Sequence, residues 1–163
     1  MNERLSDLIT RTALASDADA LAVIIREAAL SEKIRAVPLD QLVLRVKNLI
    51  QLNLKNNNFD IFVVTDSREN ILAYAVIQWH IALFLPGGEG YISELTVRSA
   101  SRGAGVGSIL LNKLVEEGKK RDCTRMSLIN SRFRDSYKRL FYNKRGWHER
   151  KAAASFIYEF CGP

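Results

Sequence analysis

Cysteine is scarce in this chain of 163 residues, long apolar runs are absent, and no repeat, linker or low-complexity segment interrupts it. The two cysteines, Cys123 and Cys161, lie in no metal-ligand spacing, so neither a zinc site nor a disulfide framework is indicated. No apolar stretch approaches the roughly eighteen residues needed to span a bilayer, and the start, Met1 to Asp7, lacks the apolar core of a signal peptide. A cytoplasmic protein with no membrane partner is expected. With 47% hydrophobic and 26% charged residues, the composition is ordinary globular usage, and the length suits one domain over residues 1–163.

What is present is concentrated between Tyr91 and Gly118. Tyr91 to Val97 alternates apolar residues and is rich in β-branched types, which predicts a strand. Arg102-Gly103-Ala104-Gly105-Val106-Gly107-Ser108 follows, a turn whose small side chains leave consecutive backbone N–H groups bare for a phosphate. Ile109, Leu110, Leu114 and Val115 then share one face of a helix whose positive end opens inside the turn. Two familiar phosphate motifs fail on spacing. A P-loop needs Lys-Ser or Lys-Thr after its last glycine, where Ser108-Ile109 stands; the dinucleotide fingerprint needs glycines at relative positions 1, 3 and 6, and an acid some twenty residues on, where Arg125 stands.

Arg-x-x-Gly-x-Gly after a strand resembles the cofactor motif of the GNAT N-acetyltransferase superfamily. A second segment, Asp135 to Trp147, looks like the family's late helix, with Tyr142, Gly146 and Trp147 in place and Asp135 and Lys138 departing from the pattern. The resemblance spans residues 8 to 161. It implies that Arg102 to Ser108 hold the pyrophosphate of acetyl-coenzyme A (acetyl-CoA). It also implies that a splay after the Glu94 strand exposes amides of Leu95, Thr96 and Val97 to the acetyl and pantetheine groups. Asp135 stands where the family often has a pantetheine-binding Asn, and Ala104 where Lys or Gln is common, which keeps the amide that a phosphate uses.

In chain order, Leu8 to Ala13 reads as a first strand and Ser16 to Asp19 as a helix cap. Leu21, Ile24, Ile25 and Ala28 form one helix face; after Val37-Pro38 a second helix places Leu42, Val46, Leu49 and Ile50 on one side. By resemblance these helices wall the acceptor groove. Strands follow at Ile61 to Thr65, Ile71 to His80 and, after a turn over Pro86 to Gly90, Tyr91 to Val97, then the helix after the glycine turn, a strand from Arg125 to Asn130, the late helix, and a last strand near Ser155 to Phe160. The expected fold is α/β (α+β), a GNAT-like mixed, mostly antiparallel central sheet flanked by helices, in the order β-α-α-β-β-β-α-β-α-β.

An alkylammonium with a pKa of about 10.4 cannot attack a thioester until a base takes its proton. Glu94, on the strand leading into the turn, is the first candidate, directly or through water, and His80 the reserve. Tyr142 matches the family's proton donor to the leaving thiolate; as an aromatic anchor beside Phe141 and Trp147 it has a structural reading too. Neither cysteine lies in a matched motif, so direct transfer of acetyl to an amine acceptor is expected, with a homodimer as the assembly the resemblance implies. Two other classes stand beside this. One is a catalytically silent acyl-CoA-binding module. The other is a nucleic-acid binder, because residues 121–151 carry ten Lys or Arg against three acids, more than the whole net charge of +6; no recognised nucleic-acid motif accompanies them.

Overall fold

Five runs of alternating apolar residues pair into one sheet, and the helices between them supply the surfaces that bury it. The computed structural model describes residues 5–29, 31–55, 57–158 and 160. The chain divides into two compact units, Met1–Leu128 and Ile129–Pro163.

The first unit holds strands β1 (Ile9–Thr12), β2 (Phe59–Thr65), β3 (Ile71–Ile81), β4 (Gly88–Val97) and β5 (Cys123–Leu128), in that spatial order. The first three pairings are antiparallel and β4 with β5 is parallel. The β2 to β3 turn is built by Asp66, whose Oδ1 accepts the N–H groups of Arg68 at 2.9 Å and Asn70 at 2.7 Å. A parallel pair needs a crossover, and helix α4 (Val106–Lys120) provides it.

Alternation along the strands sends apolar side chains to both faces. Ile61, Val63 and Tyr74 form one buried cluster with Leu21 and Ile24 of α1 (Ala18–Ala28) and Val46 and Ile50 of α3 (Leu39–Asn53). The other face takes α4, which lies against β2, β3, β4 and β5 and buries Val106, Leu110, Leu111 and Leu114. Each such buried leucine stabilises the unit by about 1.5–3 kcal/mol. The approach is close at the end of α4: a Cβ added at Gly118 would stand 2.6 Å from Met126 Sδ, and one at Gly90 2.5 Å from the same atom. Glycine at both positions lets helix and sheet meet.

The mixed, mostly antiparallel sheet flanked by helices is as expected; several details differ. An additional helix, α2 (Glu32–Ala36), precedes Val37-Pro38. Leu49, expected on the buried side of the second helix, is 43% exposed, because the buried stripe of α3 is the narrower Leu42, Val46 and Ile50. β4 begins at Gly88 rather than Tyr91, since Gly88 to Gly90 pair with both neighbours, and β5 runs from Cys123 rather than Arg125. Asp17 stands at the N-cap of α1 and Asp19 in its first turn, as expected, but the Asp17 side chain makes no cap bond. Asp17 instead binds Arg11 through both carboxylate oxygens, at 2.6 and 2.9 Å, and accepts the Leu14 N–H at 2.7 Å, which ties β1 to the start of the helix layer.

In the second unit no described residue is buried. The late helix, expected to run from Asp135 towards Trp147, is one turn, α5 (Asp135–Lys138). It stops because Leu140 takes a left-handed φ of 56°, with Phe141 N–H bonding back to the Ser136 carbonyl at 2.9 Å and Leu140 N–H to that of Tyr137 at 2.9 Å. This pair of bonds is a Schellman closure, which caps a helix and turns the chain away. A separate 3-10 turn follows at Asn143–Arg145, ended by Gly146 at φ 81°. The terminal strand does not form: residues 155–158 and 160 adopt no ladder, since apolar alternation supplies no pairing edge by itself. Cys161 lies outside the described residues. Among the described residues no helix is long and apolar enough to cross a membrane, and no cluster of three metal-ligating side chains occurs.

Asp17 is only 7% exposed, and hydrogen bonds from Arg11 and Leu14 hold its carboxyl below the usual carboxylate range against the opposing effect of burial. Replacing it by Asn leaves the Arg11 guanidinium without its counter-charge. Asp17→Asn is expected to lower the free energy of unfolding by about 2 kcal/mol, read from urea unfolding at neutral pH.

Candidate active site

The site begins where β4 leaves β5. Their ladder ends at the Ile92–Leu128 pair, while β4 itself continues to Val97 along β3, ending opposite Ala73. Over the same stretch the β3 pairing slips: Ile92 faces Ile77 and Glu94 faces Val76, so Ser93 is the extra residue of a bulge. β5 ends at Leu128, so among the described residues the β5 side of residues 93–97 carries no ladder.

Glu94 is exposed at the bulge, and its Oε2 accepts a hydrogen bond of 2.7 Å from the hydroxyl of Tyr74, a side chain only 4% exposed. A buried phenol therefore fixes the carboxylate from below. Tyr74 is a core residue that reaches the candidate site through its hydroxyl.

From Val97 the chain bends through a 3-10 turn at Ser99–Ser101 into the glycine turn. Arg102 Nε donates to the Val97 carbonyl at 3.2 Å, tying the turn to the strand end. Gly103 and Gly105 take φ values of 84° and 85°, left-handed conformations that a side chain resists. The Gly105 carbonyl accepts the N–H groups of Ser108 at 2.9 Å and Ile109 at 3.2 Å and so starts α4. The amides of Val106 and Gly107, at the first turn, precede any helical acceptor. With the positive end of α4 behind them they suit an anion, and Gly103, where an added Cβ would meet nothing, leaves room for one. Arg102, Gly103 and Ala104 are exposed; the side chain of Leu5 touches the turn at Gly105.

Beside Glu94 an open groove of about 1020 Å³ follows β3, with Leu49, Phe59, Ile61, Val76, Gln78, His80, Ser93 and Glu94 among its lining residues. His80 stands four residues beyond Val76, the cross-strand partner of Glu94, so the two candidate bases are about 13 Å apart along the strand at roughly 3.3 Å per residue. Glu94 is next to residues 95–97; His80 is far down the groove.

Glu89 was not picked out by sequence reasoning, which took Pro86 to Gly90 for a turn. It is 6% exposed. Its Oε2 accepts from Arg125 Nη2 at 2.5 Å and its Oε1 from Ser127 Oγ at 2.6 Å, with His80 Nε2 at 3.5 Å. The Arg125 bond is the main cause that lowers its pKa to about 2, burial opposing and Ser127 and the arginine charge assisting. No local pattern marks such a residue, because its partners come from β3 and β5.

In the second unit Tyr142 is half-buried, its ring meeting Phe141 edge-on at 4.9 Å and Trp147 at 6.1 Å. Burial pushes its phenol up, partly offset by Arg134, so the group stays protonated at neutral pH. Asp135, the first residue of α5, is exposed. The basic stretch is partly internal: Arg121 pairs with Asp60 at 3.0 Å, Arg125 with Glu89, and Arg132 with Glu149 at 2.6 Å.

The model of the Acetyltransferase (GNAT) family matches residues 26–147, three-quarters of the chain and both motifs. The chain belongs to that family. As a GNAT acetyltransferase it also has the expected neighbours among solved structures. A transcriptional regulator from Bacillus halodurans C-125 superposes with a TM-score of 0.79 at 20% identity, covering 94% of this chain and 99% of that one. An acetyltransferase from Trypanosoma brucei gives 0.73 at 21% identity over 93% and 100% of the two chains. Glucosamine-6-phosphate N-acetyltransferase from Arabidopsis thaliana gives 0.73 at 17% identity over 93% and 99%. At these identities the likeness establishes the fold. No protein of curated function matches.

The folded-state pKa of Glu89, about 2 against an ordinary 4.5, makes a signed prediction. A depressed carboxylate contributes stability above its unfolded pKa and loses it as pH falls through the folded one. The gap in melting temperature between the protein and its Glu89→Gln variant should be widest above pH 4.5 and close as pH approaches 2.

Proposed function

We propose that this GNAT acetyltransferase transfers the acetyl group of acetyl-CoA directly to a primary amine. The observation that carries the reading is the continuity of β4: one strand, running on past the end of its β5 ladder at Ile92, carries Glu94 and residues 95–97 and then feeds the left-handed glycine turn. The family match across both units supports treating residues 1–163 as one functional domain. Arg102, Gly103, Ala104, Gly105, Val106, Gly107 and Ser108 would hold the pyrophosphate through backbone amides and the helix end. Leu95, Thr96 and Val97 would pair with the pantetheine arm and polarise the acetyl carbonyl. Acetyl-CoA supplies the activated acyl thioester; the protein supplies position and proton movement.

Glu94 takes the proton of the acceptor ammonium, directly or through one water, and Tyr74 holds its carboxylate in place meanwhile. Tyr142 returns a proton to the departing thiolate. That role rests on its place in the family motif and on a phenol that remains protonated at neutral pH. Asp135 is the counterpart of the pantetheine-binding position, contributing a carboxylate where an amide is common.

The cofactor is tested by thermal shift. Acetyl-CoA should raise the melting temperature at a concentration where NADH and ATP do not, and the shift should vanish in Gly105→Glu, whose side chain would stand in the turn. No shift with any of the three would overturn the assignment. For the chemistry, Glu94→Gln should lower kcat at least about a hundredfold with little change in the KM for acetyl-CoA. Tyr74→Phe should lower kcat by about tenfold, because it loosens the base without removing it. Cys123→Ser and Cys161→Ser should leave turnover unchanged; a large loss would indicate an acetylated cysteine rather than direct transfer. Saturable acetyl-CoA binding without turnover over a broad amine panel would favour the silent binding module. Light scattering decides the homodimer that the resemblance implies.

A further inference from the structure

The side chains that share a face with Glu94 describe the acceptor. Residues directly opposite each other in an antiparallel ladder point to the same side of the sheet. Glu94 pairs with Val76, and Val76 with Ile61, so the three form one row across β4, β3 and β2. Gln78 and Phe59 pair in the next row of the same face. This is the side covered by α1 and α3, since Ile61 belongs to the buried cluster there and Phe59 and Val76 pack against it. Arg121 takes no part here, because it stacks on Trp79 on the opposite face and is paired with Asp60.

Beside Glu94 the groove on this face is apolar. Val76 and Phe59 are half-buried, with one side on the core cluster and the other lining the groove, and Ile61 lies in the floor between them. Leu49 of α3 lines the groove from the helix layer, and its 43% exposure, unlike the buried stripe of its own helix, leaves an apolar side chain to be covered. Charge is sparse. Glu94 is the one acid among the described lining residues, and no Lys or Arg among them lies on its face. His80 stands about 13 Å away along β3.

From this pairing of a single carboxylate with an apolar floor we infer that the acceptor is an aralkylamine, a primary monoamine whose ring lies two or three carbons from the nitrogen. The inference rests on the acetyl transfer proposed above and deepens it. The ammonium meets Glu94, and the ring lies over Val76 towards Ile61, between Phe59 and Leu49. Opposed Cβ atoms stand about 5 Å apart, so Val76 and Ile61 are roughly 5 and 10 Å across the sheet from Glu94, the reach of such a linker and ring. The ring leaves water for apolar contact and can meet the Phe59 ring edge-on or offset. A carboxylate or phosphate beside the amine would face Glu94 with no cation to meet it, and a second ammonium would lie on the apolar floor with no acid. Amino acids, phosphorylated amines and polyamines are therefore disfavoured. In the reaction the C–N bond forms as the thioester C–S bond breaks. Of the two protons the ammonium gives up, one leaves through Glu94 and one ends on the thiol of coenzyme A.

The test uses the full chain with saturating acetyl-CoA and four acceptors. These are 2-phenylethylamine; L-phenylalanine, which adds a carboxylate to the same skeleton; putrescine, with a second ammonium in place of the ring; and ethanolamine, which lacks an apolar body. 2-Phenylethylamine should give kcat/KM at least about tenfold above each of the others. That order is read in the unmodified protein, so it stands whatever a variant does to folding. In Leu49→Gln, a change at an exposed helix position that the fold tolerates, the preference over ethanolamine should fall below about threefold through a higher KM for 2-phenylethylamine. Equal kcat/KM for the ring amine and ethanolamine, a preference for L-phenylalanine or putrescine, or an undiminished preference in Leu49→Gln would overturn the inference. So would turnover of other amines with no acetylation of 2-phenylethylamine, although the transferase activity would then stand. Acetyl-CoA binding without turnover of any amine would overturn the proposed activity and this acceptor with it.

Discussion

Beyond Ile92, strand β4 keeps one neighbour where the other has ended, and the candidate site follows from that difference. A strand inside a sheet has its backbone groups consumed on both sides. Here the pairing with β3 is retained to Val97, while β5 ends at Leu128 opposite Ile92, so the backbone of residues 93–97 on that side lies beyond the ladder. This stretch is held still by the bulge at Ser93 and by burial of the sheet on both faces. Rigidity matters because donors placed before the reaction begins cost no reorganisation when charge develops.

The same strand also fixes the order of parts along the chain. Glu94, residues 95–97 and the glycine turn are consecutive, so their spacing is set by covalent geometry more than by tertiary packing. For that reason this portion was legible in the sequence. The Arg-x-x-Gly-x-Gly spacing separates this turn from a P-loop and from a dinucleotide fingerprint, and the left-handed φ angles of Gly103 and Gly105 give the physical reason for those glycines. Helix α4 was equally legible, although its buried stripe takes in Leu111 while Ile109 and Val115 are only partly covered.

What the sequence concealed was everything made by residues distant in the chain. Tyr74 and Glu94 are twenty residues apart and meet only across the β3–β4 ladder; Glu89 reads as part of a turn until Arg125 and Ser127 are brought beside it. The late helix misled for another reason. The family pattern from Asp135 to Trp147 implies a longer helix, yet the Schellman closure at Leu140 satisfies the last carbonyls and stops it after a turn. The Ser155 to Phe160 segment has an apolar strand composition without a ladder, because composition records the capacity to pair and not the presence of a partner.

The close meeting of α4 with the sheet has a chemical consequence. Met126 Sδ occupies the space that both Gly90 and Gly118 leave by lacking a side chain, so this thioether pins the end of the crossover helix against β4 and β5. A single added oxygen would make that sulfur larger and polar in a place fitted to neither property. Oxidative stress would therefore reach the fold through one atom, loosening the last turn of α4, where Arg121 begins, while the glycine turn at the opposite end of the helix kept its shape.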